Sequence, residues 1–244
     1  MIRVAAKRTY VAVVQRLSKI LQRLGVLGWL DGHASKRSFH WIRSLFAIYD
    51  VDEMIALDVP WWTYRAIDRV DAFLRARPGA NVFEYGSGAS TIWLARRAAS
   101  VHSVEHDEQW FHLMQSRIAQ FEGITLDHVP VDAQLSADPL FHSEKEGYAG
   151  KSFQAYASAI SLTKERFDVI VIDGRARSAC LHLAEKYLAD GGIIVFDNTK
   201  RARYKDAIRR TDLLASALPG LTPSLPYPDK TTLLSVKPTD NANA

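Results

Sequence analysis

Residues 82–92 read VFEYGSGASTI, and this stretch decides the predicted fold. Its first half predicts a buried strand over 82–85, and a helical pattern over 90–99 follows a short loop. The loop contains Gly86 and Gly88, and glycine allows the backbone to turn sharply and to approach a ligand closely. The helix after the loop presents its positive end there, which favours an anionic ligand group. The stretch therefore predicts a strand, a ligand-binding turn and a helix in immediate succession.

Short apolar runs alternate with helical patterns after this stretch. The predicted strands are 101–105, 124–131, 167–173, 193–196 and 231–236, and the predicted helices are 108–121, 152–163, 178–189 and 202–218. Such alternation indicates a doubly wound α/β fold with a mostly parallel sheet covered by helices on both faces. Ligands of such sheets bind beyond the carboxyl ends of the strands. The long connection over 132–166 is expected to cover that site.

The composition of the 244 residues is that of an ordinary globular protein, with 48% hydrophobic and 24% charged residues. It argues against a disordered or fibrous chain. Cys180 is the only cysteine, which excludes a disulfide framework and fits a reducing, cytoplasmic compartment. No apolar run reaches the length of a membrane span. We expect a helical extension over 1–58, an α/β domain over 59–237 and a disordered tail over 238–244.

Residues 1–30 are basic and amphipathic. They contain six arginines and lysines and no acidic residue, although the net charge of the whole chain is only +4. Apolar residues recur at helical spacing, namely Tyr10, Val13, Val14, Leu17, Ile20, Leu21 and Leu24. We expect this stripe to pack against the main domain or against a second subunit, as in a homodimer. The alternative is a peripheral contact with the inner face of a membrane. No nucleic acid is expected, because no recognition module accompanies the basic residues.

Two acidic residues near the glycine loop distinguish between cofactor classes. Glu105 ends the second strand, where a carboxylate accepts both ribose hydroxyls of a nucleoside. A dinucleotide-binding loop carries a third glycine three residues after the second, but this chain has Thr91 there. Glu84 lies two residues before Gly86, and its negative charge repels a pyrophosphate but attracts a cofactor with an ammonium and a sulfonium group. These features favour S-adenosylmethionine (SAM) over NAD.

Residues 82–92 resemble the first motif of the class I SAM-dependent methyltransferases. Glu105, the run FDVIVIDG at 167–174 and the run ADGGIIVFDN at 189–198 are similar to later motifs of that family, in the same order. The resemblance implies a Rossmann-like fold with a seven-stranded, mostly parallel sheet. It also implies cofactor contacts: Glu84 and Gly86 hold the amino-acid part of SAM, Ser87 and Gly88 line the cofactor, Glu105 binds the ribose, Asp132 lies beside the adenine, and Asp173 also touches the cofactor.

Acidic and amide side chains end the fourth and fifth predicted strands. Asp173 ends the fourth, and Asp197 and Asn198 follow the fifth. Three oxygen ligands from adjacent strand ends suit Mg²⁺ or Ca²⁺, and such a metal lowers the pKa of a bound hydroxyl. Residues 196–199 are similar to the metal-binding turn of the cation-dependent catechol and caffeoyl-CoA O-methyltransferases, but the lysine that follows the first aspartate in those enzymes is absent. The alternative is that Asp173 and Asn198 cap turns and helix starts.

Basic residues cluster next to the same strand ends. They are Arg175, Arg177, Lys200, Arg201 and Arg203. Arginine binds carboxylate or phosphate through two parallel hydrogen bonds, so an acidic acceptor such as a phosphorylated or uronic-acid sugar would explain them. The alternative is a solvated basic face that pairs with nearby acids. The strings IDGRAR and FDNTKRARY also resemble those of bacterial methyltransferases associated with surface-polysaccharide synthesis.

Three aromatic residues, Trp61, Trp62 and Tyr64, precede the predicted sheet. Methyltransferases often place a lid over cofactor and acceptor at this point, and aromatic rings stack on a sugar or an adenine. Packing in the core is the alternative, and it explains at least one of the tryptophans better.

Taken together, these patterns predict an O-directed methyltransferase that acts on a small-molecule or glycan-like acceptor. Asp173, Asp197 and Arg175 are the predicted catalytic residues. Two alternatives are an NAD-type oxidoreductase and a SAM-binding protein without catalysis.

Overall fold

The computed structural model describes residues 2–48, 50–143, 145 and 147–237, with side chains from Val11 onward. The predicted tail over 238–244 lies outside the described residues. The helices are α1 (Ile2–Arg23), α2 (Val26–Gly32), α3 (Arg37–Ser44), α4 (Val51–Ala56), α5 (Tyr64–Arg75), α6 (Ala89–Ala95), α7 (Glu108–Ile118), α8 (Gln154–Thr163), α9 (Arg177–Ala184) and α10 (Lys205–Arg209). The strands are β1 (Asn81–Tyr85), β2 (Ser100–Glu105), β3 (Ile124–His128), β4 (Phe167–Ile172), β5 (Leu188–Phe196), β6 (Leu214–Gly220) and β7 (Asp229–Ser235).

The strands form one seven-stranded sheet in the order β3-β2-β1-β4-β5-β7-β6. Strands β1 to β5 run parallel, and β7 pairs antiparallel with both β5 and β6. The predicted doubly wound α/β fold with a mostly parallel sheet is therefore confirmed. The strand order reverses between β1 and β4, so the chain leaves these two neighbours towards opposite halves of the sheet. A crevice opens at the carboxyl ends of strands where the order reverses in this way.

Both faces of the sheet are buried. Val82 and Val169 lie in one core cluster together with residues of α5, α6 and α7. Phe83, Tyr85 and Ile170 lie in a second cluster together with residues of α8 and α9. Neighbouring residues of a strand point to opposite faces, so a strand that is covered on both sides needs apolar residues at consecutive positions. This requirement explains the continuous apolar runs from which β1 and β4 are predicted.

The helix predicted over 202–218 is wrong for most of its length. A short helix covers only Lys205–Arg209, and strand β6 begins at Leu214. Strand β6 pairs with β7 along its whole length. The apolar spacing in this region fits a helix, but pairing between strands that are distant in sequence outweighs local propensity. The fifth strand also differs, because it begins at Leu188, five residues earlier than predicted.

Arg43 joins three of the N-terminal helices. Its side chain is buried and forms ion pairs with Asp31 at 2.8 Å and with Glu53 at 2.6 Å. Met54, on α4, is fully buried in the same core cluster as parts of β1 and β4. Residues on both sides of position 58 therefore share one core, and the division into 1–58 and 59–237 stays a prediction.

The amphipathic stripe of residues 1–30 packs only in part. Val14 and Leu21 are half-buried, and Leu27 and Leu30 of α2 are buried. Four members of the stripe are exposed to solvent, namely Val13, Leu17, Ile20 and Leu24. The described part of the chain does not cover these four, so packing against a second subunit stays a prediction for them, and the side chain of Tyr10 lies outside the described residues. Among the described helices, none combines the length and apolar character that crossing a membrane requires.

The two tryptophans that were predicted as a lid have different environments. Trp62 is fully buried, and its ring contacts that of Trp93 edge to face with 5.7 Å between the centroids. Trp61 is half-buried and lines the cavity at the carboxyl edge of the sheet. Core packing therefore accounts for Trp62, whereas Trp61 remains a candidate for contact with a ligand.

We predict that Trp62→Ala lowers the free energy of unfolding by about 3–5 kcal/mol, because it removes a buried aromatic ring and leaves a cavity. Trp62→Phe should cost much less, since the Nε1 atom of Trp62 has no hydrogen-bond partner among the described residues. Denaturant titration of the two variants and the wild type measures both changes. A loss below about 1 kcal/mol for the alanine variant would contradict this account of the core.

Candidate functional site

A cavity of about 1290 Å³ opens at the carboxyl edge of the sheet. Residues at or directly after the ends of four strands line it. They are Gly86, Ser87 and Gly88 after β1, Glu105, His106 and Asp107 around the end of β2, Asp173, Gly174 and Arg175 after β4, and Asp197 and Asn198 after β5. The cavity lies where the alternation of strands and helices predicts a ligand site.

The glycine loop touches the loop after β4 through backbone atoms. Gly86 has a φ of +99°, and a Cβ atom placed on it would lie 2.9 Å from the Cα and N atoms of Gly174. A Cβ on Gly174 would in turn lie 1.9 Å from the hydroxyl oxygen of Tyr156. Both glycines are therefore needed for the approach of the two loops, since a side chain at either position would push them apart.

Glu84 lies behind the glycine loop and does not line the cavity. Its fully buried carboxylate accepts hydrogen bonds from the hydroxyls of Ser90 at 2.5 Å, Thr91 at 2.5 Å and Ser103 at 2.8 Å. Thr91 also accepts a hydrogen bond from the backbone N–H of Gly88 at 3.0 Å. Glu84 therefore fixes the loop and the first turn of α6. The direct contact between Glu84 and the amino-acid part of the cofactor, which the resemblance implies, stays a prediction.

The environment of Glu84 changes its proton affinity. Burial raises the pKa of Glu84 to about 7, although the three hydroxyl groups that donate to it act in the opposite direction. A carboxyl group with such a pKa is partly protonated at neutral pH, so its charge responds to any positive charge that enters the cavity.

Glu105 lines the cavity and is held by the backbone that follows it. Its Oε1 atom accepts the N–H of His106 at 2.7 Å and the N–H of Asp107 at 2.9 Å. Its Oε2 atom accepts only the hydroxyl of Ser87, at 3.3 Å, among the described residues. A carboxylate fixed in this way at the end of the second strand suits recognition of ribose hydroxyls, as its position in the sequence predicts.

Asp132 does not reach the cavity. Its carboxylate accepts hydrogen bonds from the hydroxyl of Ser152 at 2.7 Å and from the backbone N–H groups of Gln154 at 2.5 Å and Ala155 at 3.2 Å. It therefore caps the start of α8. Both carboxylate oxygens take part in this capping, and the expected contact between Asp132 and an adenine stays a prediction.

Arg177 connects the ends of β4 and β5. Its buried guanidinium group donates to the Oδ1 atom of Asp173 at 2.5 Å and to the backbone oxygens of Asp173 at 2.7 Å and Asp197 at 2.8 Å. The carboxylate of Asp197 accepts the hydroxyl of Thr231 at 2.6 Å and the side-chain amide of Asn198 at 2.6 Å. The structure thus brings together Asp173, Asp197 and Asn198, as predicted. The guanidinium group of Arg177 lies between the two strand ends.

This arrangement does not fit the predicted Mg²⁺ or Ca²⁺ site. Arg177 already supplies positive charge beside Asp173, and Asn198 directs amide N–H groups, not an oxygen, at Asp197 and Asp229. Within the described residues there is also no group of three or more His, Cys, Asp or Glu side chains that could hold a metal ion. Divalent cations of this kind require several converging oxygen ligands. We therefore derive no catalytic step through a metal.

Both aspartates have raised proton affinity. Burial raises the pKa of Asp197 to about 8; Asp173 adds to the rise, and Arg177 opposes it. Burial likewise raises the pKa of Asp173 above its ordinary value against the effect of Arg177. A raised pKa makes a carboxylate a stronger base, which suits it to general acid–base catalysis.

The side of the cavity next to these aspartates is basic. Arg201, Arg203 and Arg210 line it together with Arg175, whose guanidinium group lies 5.2 Å from the centre of the Tyr148 ring. Tyr148 belongs to the connection 132–166, which also contributes Leu140, His142 and Lys145 to the cavity wall. The connection therefore covers part of the site, as its length predicts.

Trp110 belongs to the site, although the sequence analysis does not identify it. It lines the cavity, and its Nε1 atom donates to the backbone oxygen of Ser87 at 2.8 Å. Asp107 caps helix α7 by accepting the N–H of Trp110 at 2.9 Å. A capping aspartate two residues after Glu105 is a signal that places the first turn of α7, and with it Trp110, beside the glycine loop.

Comparison with known proteins supports this fold. A family model described as a methyltransferase domain matches residues 83–199. An O-methyltransferase from Bacillus cereus, solved in complex with SAH, has 19% sequence identity and a TM-score of 0.53 over 80% of this chain and 90% of its own. A methyltransferase-like protein from Silicibacter pomeroyi has 21% identity and a TM-score of 0.47 over 73% of this chain and 89% of its own. No curated protein matches the sequence.

An rRNA methylase from Streptococcus thermophilus is also similar, with 15% identity and a TM-score of 0.49 over 70% of this chain and 96% of its own. At 19% identity the Bacillus cereus structure indicates the fold and not the acceptor. The matched segment 83–199 contains all four strand ends that form the cavity. Fold and site together define an α/β enzyme with a nucleoside-binding crevice. The matched methyltransferase domain and the fold together indicate a SAM-dependent methyltransferase and not an NAD-type oxidoreductase.

We predict that Gly86→Ala lowers the free energy of unfolding by at least about 2 kcal/mol, because alanine is strained at positive φ and its methyl group meets the backbone of Gly174. Gly88→Ala is the matched control, since Gly88 has an extended φ of 175° and a Cβ there would meet only the Ser90 hydroxyl, at 3.9 Å. Denaturant titration compares the two variants. Equal losses would refute the close approach of the two loops as the reason for Gly86.

We predict that the titration of Glu84 lowers the free energy of unfolding of the wild-type protein between about pH 4.5 and pH 7. Glu84→Gln removes the titrating group and should abolish this contribution. The folded protein keeps a proton on Glu84 up to about pH 7, whereas the unfolded chain loses it near pH 4.5. The folded state therefore binds more protons in this interval, and raising the pH favours unfolding by about 3 kcal/mol in total.

Urea titrations of wild type and Glu84→Gln at several pH values measure this difference. Other groups contribute equally to both proteins and cancel in the comparison. Parallel pH dependences would mean that Glu84 has an ordinary pKa.

Proposed function

We propose that the enzyme methylates a hydroxyl oxygen of an anionic acceptor, either a small molecule or a glycan-like molecule. The observation that carries this proposal is the state of Arg175. Its side chain lines the cavity, and its Nε atom is shielded from solvent and has no hydrogen-bond partner among the described residues. An unpaired buried N–H group costs free energy that an accepting ligand recovers. Arginine is the side chain best suited to donate two parallel hydrogen bonds to a carboxylate or phosphate.

The charges around the cavity are divided between its two sides. Glu105 and Asp107 lie on the side of β1 and β2, which suits the positively charged SAM. Arg201 and Arg210 join Arg175 on the side of β4 and β5, which suits an anion. This division supports a cationic methyl donor and an anionic acceptor that meet near the ends of β1 and β4.

The residues that would hold SAM are the glycine loop and Glu105. When bound, SAM supplies an electrophilic methyl group. Gly86 and Gly88 let the backbone approach the ligand, and Glu105 accepts hydrogen bonds from the ribose hydroxyls. The remaining task of the protein is to place the acceptor oxygen in line with that group and to keep water away.

A hydroxyl acceptor must lose its proton as the new bond between carbon and oxygen forms. Arg177 holds the Oδ1 atom of Asp173, and the Oδ2 atom has no hydrogen-bond partner among the described residues. About a fifth of the Asp173 side chain, 21%, is exposed. Asp173 therefore takes the proton at Oδ2 in the proposed reaction. Asp197 acts as a positioning residue, because both of its oxygens are already hydrogen-bonded within the protein.

The test is methyl transfer from labelled SAM to a panel of acceptors. The panel contains uronic-acid and phosphorylated sugars, their neutral counterparts, and RNA, because phosphate groups of RNA would also bind the arginines. Turnover of acidic sugars or other small anions with little turnover of the neutral counterparts supports the proposal. Preferential methylation of neutral acceptors or of RNA overturns it. The same assay with a chelator should give an unchanged rate, because the positive charge beside Asp173 comes from Arg177.

We predict that Arg175→Ala raises the KM for the anionic acceptor by about 10–100-fold, because one charged hydrogen-bonding partner is lost. The affinity for SAM should stay within about twofold, and Arg175→Lys should restore part of the loss, since lysine keeps the charge but not the forked geometry. Arg75→Ala is the matched control, because Arg75 is exposed and pairs with Asp71 far from the cavity. Steady-state kinetics and calorimetry give the values, and an unchanged KM would remove Arg175 from the acceptor site.

A further inference from the structure

Helix α1 presents an apolar ridge to solvent. The ridge consists of Val13, Leu17, Ile20 and Leu24, which are between 43% and 70% exposed. Their spacing of three or four residues places them on one face of the helix. A different face of α1 packs against α2 and the turn Leu45–Ala47. The rest of the described chain therefore does not cover the ridge.

Basic side chains flank this ridge. Arg16, Lys19 and Arg23 are exposed and also lie three or four residues apart, so they form a second row along the helix. None of the three forms an ion pair with a described residue. Residues 1–30 contain three further basic residues and no acidic residue. The exposed part of α1 thus combines an apolar row with a row of uncompensated positive charge.

Helix α2 also exposes apolar side chains. Trp29 and Val26 lie three residues apart on α2, and both are exposed, Trp29 by 53%. The opposite face of α2 is buried through Leu27 and Leu30. An exposed tryptophan beside basic residues is typical of segments that lie at the boundary between water and lipid, because the indole ring has an apolar body and a polar N–H group.

We propose that α1, with the adjoining Trp29, docks in the plane of an anionic lipid surface. The apolar ridge enters the boundary between head groups and acyl chains, and the basic row contacts the lipid phosphates. Charge favours this occupant over a second copy of the chain, since a symmetric contact through α1 would bring two basic rows together. Attachment in the plane of the surface also agrees with the described helices, none of which meets the requirements for crossing a membrane.

Helix α1 is connected to the cavity wall through one turn. The helix contacts the turn Leu45–Ala47, and Ile48, directly after that turn, lines the cavity. The proposal does not depend on which acceptor the enzyme methylates.

Sedimentation with vesicles tests the docking. The full-length protein should sediment with vesicles of phosphatidylcholine mixed with phosphatidylglycerol, and hardly at all with vesicles of phosphatidylcholine alone. High salt should release it, because the attraction to anionic lipid is screened. Failure to bind the mixed vesicles, or equal binding to both kinds, overturns the proposal.

Two variants separate the contributions of the ridge and the basic row. Leu17→Asp with Ile20→Asp places charge on the ridge and should abolish sedimentation. Arg16→Glu with Lys19→Glu and Arg23→Glu should weaken binding to the mixed vesicles by on the order of 100-fold or more. Leu162→Asp, at an exposed leucine of α8, and a triple reversal at Arg69, Lys164 and Lys186 are the matched controls and should bind as the wild type does.

Calorimetry with SAM and far-UV circular dichroism show whether each variant is folded, since none of the substituted residues lines the cavity. Light scattering tests the alternative, in which the ridge contacts a second copy of the chain. If Leu17→Asp with Ile20→Asp converts a dimer into a monomer and the wild type does not bind the mixed vesicles, the ridge is a subunit interface and the proposal is overturned.

Discussion

The site depends on the contact between two loops that meet through the backbone atoms of glycine residues. Gly86 and Gly174 bring the loop after β1 against the loop after β4 at a distance that excludes a side chain on either of them. This contact fixes the relative positions of the glycine loop and Asp173, which lie on different strands of the sheet. The methyl donor and the acceptor meet across the same boundary in the proposed reaction. A small change of distance there would misalign an in-line transfer.

Four acidic side chains surround this contact, and the protein stabilises each of them differently. Glu84 is held by three hydroxyl groups, Glu105 by two backbone N–H groups and a serine, and Asp173 by a guanidinium group. Asp197 accepts a threonine hydroxyl and an amide. Burial raises the pKa of Glu84 to about 7 and that of Asp197 to about 8, and it also raises the pKa of Asp173, while the donors around each carboxylate act in the opposite direction. The fold therefore keeps protons near the site at neutral pH.

The arginines give the two sides of the cavity opposite character. Arg177 is used inside the protein, where it supplies positive charge between the ends of β4 and β5. Arg175 is left with an unpaired donor at the cavity wall. Two arginines separated by one residue therefore have different roles, because Arg177 begins α9 and contacts the ends of β4 and β5, whereas Arg175 lies in the loop before the helix and lines the cavity. An anionic acceptor is the partner that this division favours.

The sequence by itself determined the alternation of strands and helices, the glycine loop and the place of Glu105, because these follow from local periodicity and from which residues end each strand. It also determined that Asp173, Asp197 and Asn198 lie at adjacent strand ends. Only the tertiary structure decided that Glu84 and Asp132 hold a loop and a helix start, since their partners Ser103, Ser152 and Gln154 lie in other elements. The same holds for the strand β6 inside the predicted helix 202–218 and for Arg177 between two aspartates. Pairing across the sheet and competition for buried donors depend on distances in space, which a one-dimensional pattern does not contain.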